Sequence, residues 1–151
     1  MVGRHLFPLS SDDEIEDFEK KIQYRFIDRA LLREALQASA PWNNDGNKIL
    51  ALVGDRVLDL VIVISGRKRN KPRGEISEMI KQRAGNAYLT QQGFDLGIDK
   101  FIVKNPSQSF VAKNVMADTM EEIIGAVYLD CNSQIPPCAH VMTALGLSWP
   151  E

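Results

Sequence analysis

Apolar residues recur along this chain every three or four positions, which is the spacing of one helical face rather than of a strand. In the first such segment Ile15, Phe18 and Ile22 share one face. Ser11 and Glu14 stand at its start with the spacing of an N-terminal capping box. No pair of alternating segments indicates a β-hairpin. The pattern therefore predicts an all-α, mostly helical single domain.

Two longer apolar segments, at about residues 48–67 and 114–129, are predicted to be the main helices. The first is apolar on every side, which predicts the central buried helix of the domain. Gly93 and Gly97 are expected to interrupt helical structure. Shorter helices are predicted at about 29–36 behind an Asp28 cap, 74–85, 86–92 and 140–145. Loops are predicted at 40–46 and 104–112.

The composition is that of a soluble globular domain, because 44% of the 151 residues are hydrophobic and 25% are charged. The longest aliphatic segment, residues 57–64, is interrupted by Asp59 and is far shorter than the ~20 residues of a membrane span. With no secretory signal, we expect an intracellular protein in the cytoplasm, nucleus or mitochondrion. The expected organisation is an N-terminal arm at 1–10, a domain at 11–147 and a tail at 148–151.

The two cysteines, Cys131 and Cys138, flank a segment that contains Pro136 and Pro137. A disulfide is possible at this spacing, but an intracellular protein is expected to keep both thiols reduced. Two cysteines and two distant histidines do not form a zinc-binding pattern.

Charge is distributed unevenly, although the net charge is only −2. The segment 67–73 is strongly basic. It could be a solvated connection whose cations complement a helix C-terminus, or a loop that contacts phosphates. The segment alone does not decide between these two interpretations.

Carboxylates lie inside both long apolar segments. Asp55 is flanked by aliphatic residues, and Asp118 and Glu121 are three residues apart on one predicted helical face. Buried carboxylates need partners, and Mg²⁺ or Mn²⁺ prefers oxygen ligands of this kind. Acids at this spacing can also cap a helix, bond to neighbours or face solvent. Glu122 points about 100° away from Glu121 and is expected to be solvated.

Other catalytic patterns are not apparent. No serine, cysteine or histidine arrangement offers an activated nucleophile, and no glycine-rich phosphate cradle predicts a nucleotide cofactor.

Residues 47–58 read NKILALVGDRVL and residues 117–130 read ADTMEEIIGAVYLD. Together they resemble the two signature segments of the ribonuclease III family, the metal-dependent endonucleases that cut double-stranded RNA. Further agreement occurs at residues 24–26, 31–36 and 74–77. The resemblance covers about residues 14–130 in the family's order. It implies the all-helical ribonuclease III endonuclease domain fold, in a homodimer.

The resemblance also implies roles for individual residues. Asp55, Asp118 and Glu121 match the family's catalytic, metal-ligating acids, and Leu52 falls at its dimer contact. The implied function is cleavage of double-stranded RNA with Mg²⁺, for which Mn²⁺ would substitute, with no nucleotide cofactor and no membrane partner. The candidate RNA-binding residues are Arg67, Lys68, Arg69, Lys71, Arg73, Lys81, Arg83 and Lys113.

Two residues depart from the family signature. Ala51 stands where the signature has a second glutamate, normally a metal ligand, and Lys48 stands where it has the first. Compact "mini" members of the family resemble this chain in tolerating that alanine, and they lack a double-stranded RNA-binding domain. We expect no such domain here, because only about 20 residues follow Asp130. Other relatives keep the fold only as a scaffold. The alternatives are therefore a catalytically silent module for RNA binding or ribonucleoprotein assembly, and an acidic helical adaptor unrelated to RNA.

Overall fold

The structure, a computed structural model, describes residues 11–38, 46–104 and 110–150. It is all-α in these ranges, as predicted, and its single β-bridge joins Gln37 to Val103. A 3₁₀ turn, Ile98–Phe101, follows the fifth helix. The helices are α1 (Asp12–Ile22), α2 (Arg29–Ala35), α3 (Gly46–Lys68), α4 (Arg73–Ala84), α5 (Asn86–Asp95), α6 (Lys113–Asp130) and α7 (Ile135–Ala144).

Local capping signals in the sequence set the first two helices. Ser11 Oγ accepts from the Glu14 amide and the Glu14 carboxylate accepts from the Ser11 amide, which completes the predicted capping box of α1. Asp28 caps α2 by accepting from the Ala30 amide at 3.0 Å. The predicted apolar face of α1 is confirmed, since Ile15, Phe18 and Ile22 are fully buried.

Two boundary predictions were wrong. Gly93 was expected to interrupt the helix, but it lies inside α5. Its role is close packing on α6, because a Cβ at this position would stand 2.2 Å from Met116 Sδ. The helix ends at Asp95, and Gly97 follows in the left-handed region at φ +74°. α7 begins at Ile135 rather than near His140, with prolines in its first turn, where no amide donor is needed.

The central helix is α6, not α3 as the sequence predicted. Buried residues occur on every side of α6, and it packs against α2, α3, α5 and α7. α3 instead leaves one stripe of large apolar side chains uncovered: Ile49, Leu52, Leu60 and Val63, with exposures between 40% and 61%. Because α3 is apolar on every side, it was predicted to be buried all round, but no described part of this chain covers the stripe. This set is called the α3 stripe below.

α3 and α6 cross with their main chains in contact at two glycines. A Cβ on Gly54 would lie 1.7 Å from the Glu121 carbonyl oxygen, and a Cβ on Gly125 would lie 2.2 Å from the Leu50 carbonyl oxygen. Only glycine allows backbones to approach this closely. The crossing fixes Asp55, next to Gly54, beside Glu121.

The end of α6 also holds the connection between α1 and α2. The Asp130 carboxylate accepts from the Tyr24 hydroxyl at 2.7 Å and from the amides of Ile27 and Asp28 at 2.9 and 2.8 Å. Burial and this bond raise the pKa of Tyr24. Three donors on one carboxylate make Asp130 a tether between distant segments.

The C-terminal residues pack against α3. Trp149 is buried, and its indole N–H donates to the Ile62 carbonyl at 2.9 Å. Its ring approaches Gly66, where a Cβ would be 2.9 Å from a ring carbon. Cys131 and Cys138 are both free thiols, as expected.

Some sequence predictions fall outside the described residues. Most of the predicted loop 40–46 and residues 105–109 of the loop 104–112 lie there. Among the described helices, none combines the length and the apolar character that crossing a membrane requires.

Candidate active site

Asp55 and Glu121 are the paired carboxyls at the glycine crossing. The Asp55 side chain is 34% exposed, and its carboxyl shares a hydrogen bond with that of Glu121. Burial, the Asp55 charge and this hydrogen bond raise the pKa of Glu121 to about 8. Near neutral pH this raised pKa favours the protonated form of Glu121.

Two further acids add to the negative field at Glu121. Burial raises the pKa of Asp118, while the positive charge of Lys48 acts in the opposite direction. Asp59, one turn after Asp55 on α3, also has its pKa raised by burial and by the Asp55 charge. Asp59 was not predicted as a site residue, although its i,i+4 spacing from Asp55 was the available signal.

One cation contacts the pair directly. Arg56 Nη1 lies 2.8 Å from Asp55 Oδ2, and the Arg56 side chain is 73% exposed. An exposed ion pair of this kind is weak and exchanges readily with solvent or ligand. Arg56 therefore places a mobile positive charge at the mouth of the site, which sequence reasoning did not anticipate.

Glu122 is not the solvated residue that was predicted. It is 2% exposed, and burial, with the charges of Asp118, Glu121 and Glu34, raises its pKa to about 9. The expectation relied on its angle from Glu121. It failed because the side of α6 that carries Glu122 is covered by the rest of the domain, whereas Asp118 and Glu121 on the same turn are only half-buried. The apolar residues around Glu122 in sequence were the signal of this burial.

The acids suit a cation bound by few protein ligands. Among the residues that the structure describes, no three His, Cys, Asp or Glu side chains converge as a metal-holding group. Asp55 and Glu121 share a hydrogen bond, whereas Asp118 influences Glu121 through its charge. Mg²⁺ is commonly held by one or two carboxylates and several waters, so the carboxyl pair fits it.

The two departures from the family signature lie close to this pair. Ala51 is 8% exposed and lies one turn before Asp55, so α3 contributes no acid at that turn. Lys48 is exposed and acts electrostatically on Asp118. The positive charge of Lys48 therefore opposes the rise in the pKa of Asp118, one of the three predicted acids.

The candidate RNA-binding residues are not a uniform set. Lys71 pairs with Glu75 at 3.7 Å, and the Arg69 guanidinium lies 6.0 Å from the Trp149 ring centroid. Arg83 is only partly exposed and donates to Tyr88. The exposed ones are Arg67, Lys68, Arg69, Lys71, Arg73, Lys81 and Lys113.

A basic groove lies between α3 and α4. It encloses about 560 Å³ and its polar side is formed by Arg67, Asn70, Lys71 and Arg73. Its apolar side includes Val63 of the α3 stripe. The basic segment thus adjoins the uncovered surface on which Leu52 also lies.

Comparisons with known proteins agree with this architecture. The ribonuclease III domain family matches residues 48–132. Ribonuclease 3 of Fusobacterium nucleatum is 30% identical over 128 residues, which cover 77% of this chain and 55% of that protein. Ribonuclease 3 of Agrobacterium fabrum is 35% identical over 131 residues, covering 82% and 54% respectively. The chain therefore spans little more than half the length of these curated relatives.

Solved structures show the same fold. A nuclease domain of ribonuclease III from Campylobacter jejuni, described for structural flexibility in its dimer-forming region, superimposes with a TM-score of 0.66 at 25% identity. The match covers 88% of this chain and 92% of that one. A second structure of that nuclease domain gives a TM-score of 0.71 at 22% identity, covering 91% and 95%. With the family matched over more than half of its length, this chain belongs to the ribonuclease III domain family.

Proposed function

We propose that this domain is a metal-dependent endoribonuclease that hydrolyses phosphodiester bonds in double-stranded RNA. The observation that carries the proposal is the Asp55–Glu121 carboxyl pair, held at a backbone contact between two helices. Family membership and relatives named Ribonuclease 3 support an RNA substrate. Mg²⁺ is the proposed cofactor, with Mn²⁺ as a substitute.

The proposed roles follow from the charges of the site. Asp55 and Glu121 would hold the cation, which when bound supplies water activation and stabilisation of the leaving oxygen. Glu121 must release its proton, and its raised pKa makes this the pH-dependent event. Asp118 would support the site through its charge. Arg56 could release Asp55 and contact the substrate phosphate, because it is an exposed and weakly held cation.

The basic groove would contact the RNA backbone. Arg67 follows Asp55 by about 18 Å along α3, from the helical rise of 1.5 Å per residue. A ligand that reaches both positions must carry several phosphates. Double-stranded RNA is recognised mainly by shape, backbone and 2′-hydroxyls, so little base specificity and strong salt dependence are expected.

The α3 stripe would be the contact with a second copy. Leu52 is 59% exposed within this stripe, and one turn of helix separates it from Arg56. An uncovered apolar stripe on a domain of this size is typical of an association surface. Sedimentation velocity should show a dimer that Leu52→Asp converts to monomer, whereas Phe94→Asp, a control on α5, leaves it intact.

The nuclease test uses a long labelled RNA duplex with Mg²⁺, with Mn²⁺ and with chelator. Asp55→Asn and Glu121→Gln should each reduce cleavage by ~100-fold or more, because each removes a proposed ligand. Asp13→Asn and Glu78→Gln are matched controls on exposed surfaces. Circular dichroism confirms folding of each variant. Undiminished cleavage by either site variant would overturn the assignment.

The same assay separates the silent-module alternative. A silent module would shift the duplex on a native gel and leave it uncut under every metal condition. Ala51→Glu would then restore the missing acid, and a gain of cleavage would identify its loss as the cause.

A further inference from the structure

A second cavity, remote from the acids, lies between the last turns of α3, the end of α4, α7 and the C-terminal residues. It encloses about 350 Å³. Two arginines, Arg69 and Arg83, and three hydroxyl residues, Ser65, Thr143 and Ser148, line its polar side. No carboxylate occurs among the described residues that line it. The cavity is therefore positively charged as well as rich in hydrogen-bond donors.

Arg83 is oriented by its neighbours. Its Nη1 donates to the Tyr88 hydroxyl and, at 3.4 Å, to the Gly146 carbonyl, while its guanidinium stacks 4.9 Å from the Tyr88 ring centroid. In the described part of the chain, its Nε and Nη2 donors have no partner. These two groups form the side-on fork that binds a phosphate or carboxylate through two parallel bonds.

Arg69 supplies the second charge. It forms no ion pair within the described residues, and it lies 6.0 Å from the ring centroid of Trp149. Trp149 is itself fixed by its bond to the Ile62 carbonyl. The cation is thus held near the cavity by an aromatic contact that leaves its hydrogen-bond donors available.

The hydroxyls add a donor that can be redirected. Thr143 Oγ1 donates to the Ala139 carbonyl at 3.1 Å, so its 2.8 Å contact with Ser148 Oγ uses the Ser148 proton. Ser148 can turn this proton toward a ligand, because Thr143 remains bonded to Ala139.

We propose that this cavity binds a phosphomonoester, with its phosphate between Arg69 and Arg83. Two guanidiniums and a hydroxyl suit a tetrahedral dianion better than a planar carboxylate of single charge. Val61, Met142 and Pro150 form an apolar wall for the organic part of the ligand. The volume is near the lower end of small-molecule sites. The group is carried either by a compact sugar phosphate or by the 5′ end of an RNA strand.

This site is separate from the carboxyl pair. Val61 follows Asp55 by about 9 Å along α3, at 1.5 Å per residue, and Arg69 lies just beyond the C-terminal end of this helix. Binding is consequently independent of the proposed nuclease chemistry, and Asp55→Asn leaves it unchanged.

The test is isothermal titration calorimetry in chelator with ribose 5-phosphate, and with ribose as the matched ligand lacking phosphate. A 5′-phosphorylated RNA tetranucleotide and its 5′-hydroxyl counterpart form a second pair. The protein variants are Arg69→Gln, Arg83→Lys and the matched control Arg25→Gln. Arg25 is exposed, does not line the cavity and is not among the candidate RNA-binding residues.

The expected result is binding that requires the phosphate and weakens by about tenfold or more in Arg69→Gln, the scale of a lost charge-assisted hydrogen bond. Arg83→Lys keeps the charge and loses the fork, so it weakens binding too. Arg25→Gln changes the affinity by less than about twofold. Binding of ribose 5-phosphate identifies a free metabolite site, and binding of the phosphorylated RNA alone identifies a strand-end site.

Three results would overturn the proposal. The first is no binding of either phosphorylated ligand at millimolar concentration. The second is equal affinity for the ligands with and without phosphate. The third is equal weakening by Arg69→Gln and Arg25→Gln, which would indicate a general charge effect.

Discussion

Replacing Gly54 with alanine sets two physical effects of opposite sign against each other. In a helix interior, alanine is favoured over glycine by about 1 kcal/mol. At this crossing, however, the new Cβ would stand 1.7 Å from the Glu121 carbonyl oxygen and 2.6 Å from its carbon. An ordinary contact begins at 3.4 Å, so the helices must separate by about 1.7 Å. The obstructing atoms are main chain and cannot rotate away.

We therefore expect a net loss of stability. Overpacking a core typically costs about 1–3 kcal/mol, occasionally more, and a backbone obstruction lies at the upper end. After the helical gain is subtracted, Gly54→Ala should lower the free energy of unfolding by about 2 kcal/mol. Asp55 and Glu121 would also move apart, so metal affinity should fall along with stability.

Urea denaturation at pH 7 measures the first effect, and Mn²⁺ titration of the folded variant measures the second. Gly74→Ala is the control, since a Cβ at that position of α4 meets nothing within 4 Å. It should be neutral or stabilising by up to ~1 kcal/mol. A Gly54→Ala protein as stable as the parent, with unchanged metal affinity, would refute the inference that backbone contact positions the acids.

Three further predictions concern titration and tethering. Burial raises the pKa of Glu122 from 4.5 to about 9, so the folded state retains a proton and stability falls as pH rises across that window. Glu122→Gln should consequently raise the free energy of unfolding by up to about 4 kcal/mol at pH 7.5 and leave it unchanged at pH 4, as measured by chemical denaturation. Mn²⁺ affinity, measured by calorimetry, should rise about tenfold per pH unit from 6 to 8 and then level, as Glu121 deprotonates; a flat profile contradicts this. Asp130→Asn should lower the free energy of unfolding by about 2–4 kcal/mol, and Tyr24→Phe should lower it by about 1 kcal/mol, as measured by thermal denaturation. Equal losses in the two variants would mean that the hydrogen bonds from the Ile27 and Asp28 amides to Asp130 contribute nothing.

The parts of the fold that depend on neighbouring residues were predictable from the sequence. The Ser11–Glu14 capping box and the Asp28 cap act within one turn, and both helices begin where predicted. The resemblance to a family, rather than spacing, indicated that Asp55 and Glu121 meet. The structure adds that Gly54 and Gly125 permit this meeting.

The wrong predictions concern which faces of the helices are covered by other parts of the chain. Helical periodicity identifies apolar faces but not their partners, so α3 was taken for the central helix while Leu52 is exposed. The same limit placed Glu122 in solvent, although helices surround it. Gly93 was interpreted as a helix breaker because sequence does not reveal that Met116 packs against its missing side chain. Each error concerns a contact between residues distant in sequence.

If the α3 stripe is the contact with a second copy, as proposed, protein concentration becomes a variable of this domain's proposed chemistry. Leu52 and Leu60 flank Asp55 along the helix, so a second copy that covers the stripe would lie within one turn of the acids. Mass action would then govern both association and the shielding of the site from water. Specific activity would fall on dilution, and rates measured at nanomolar and micromolar protein would describe two different species.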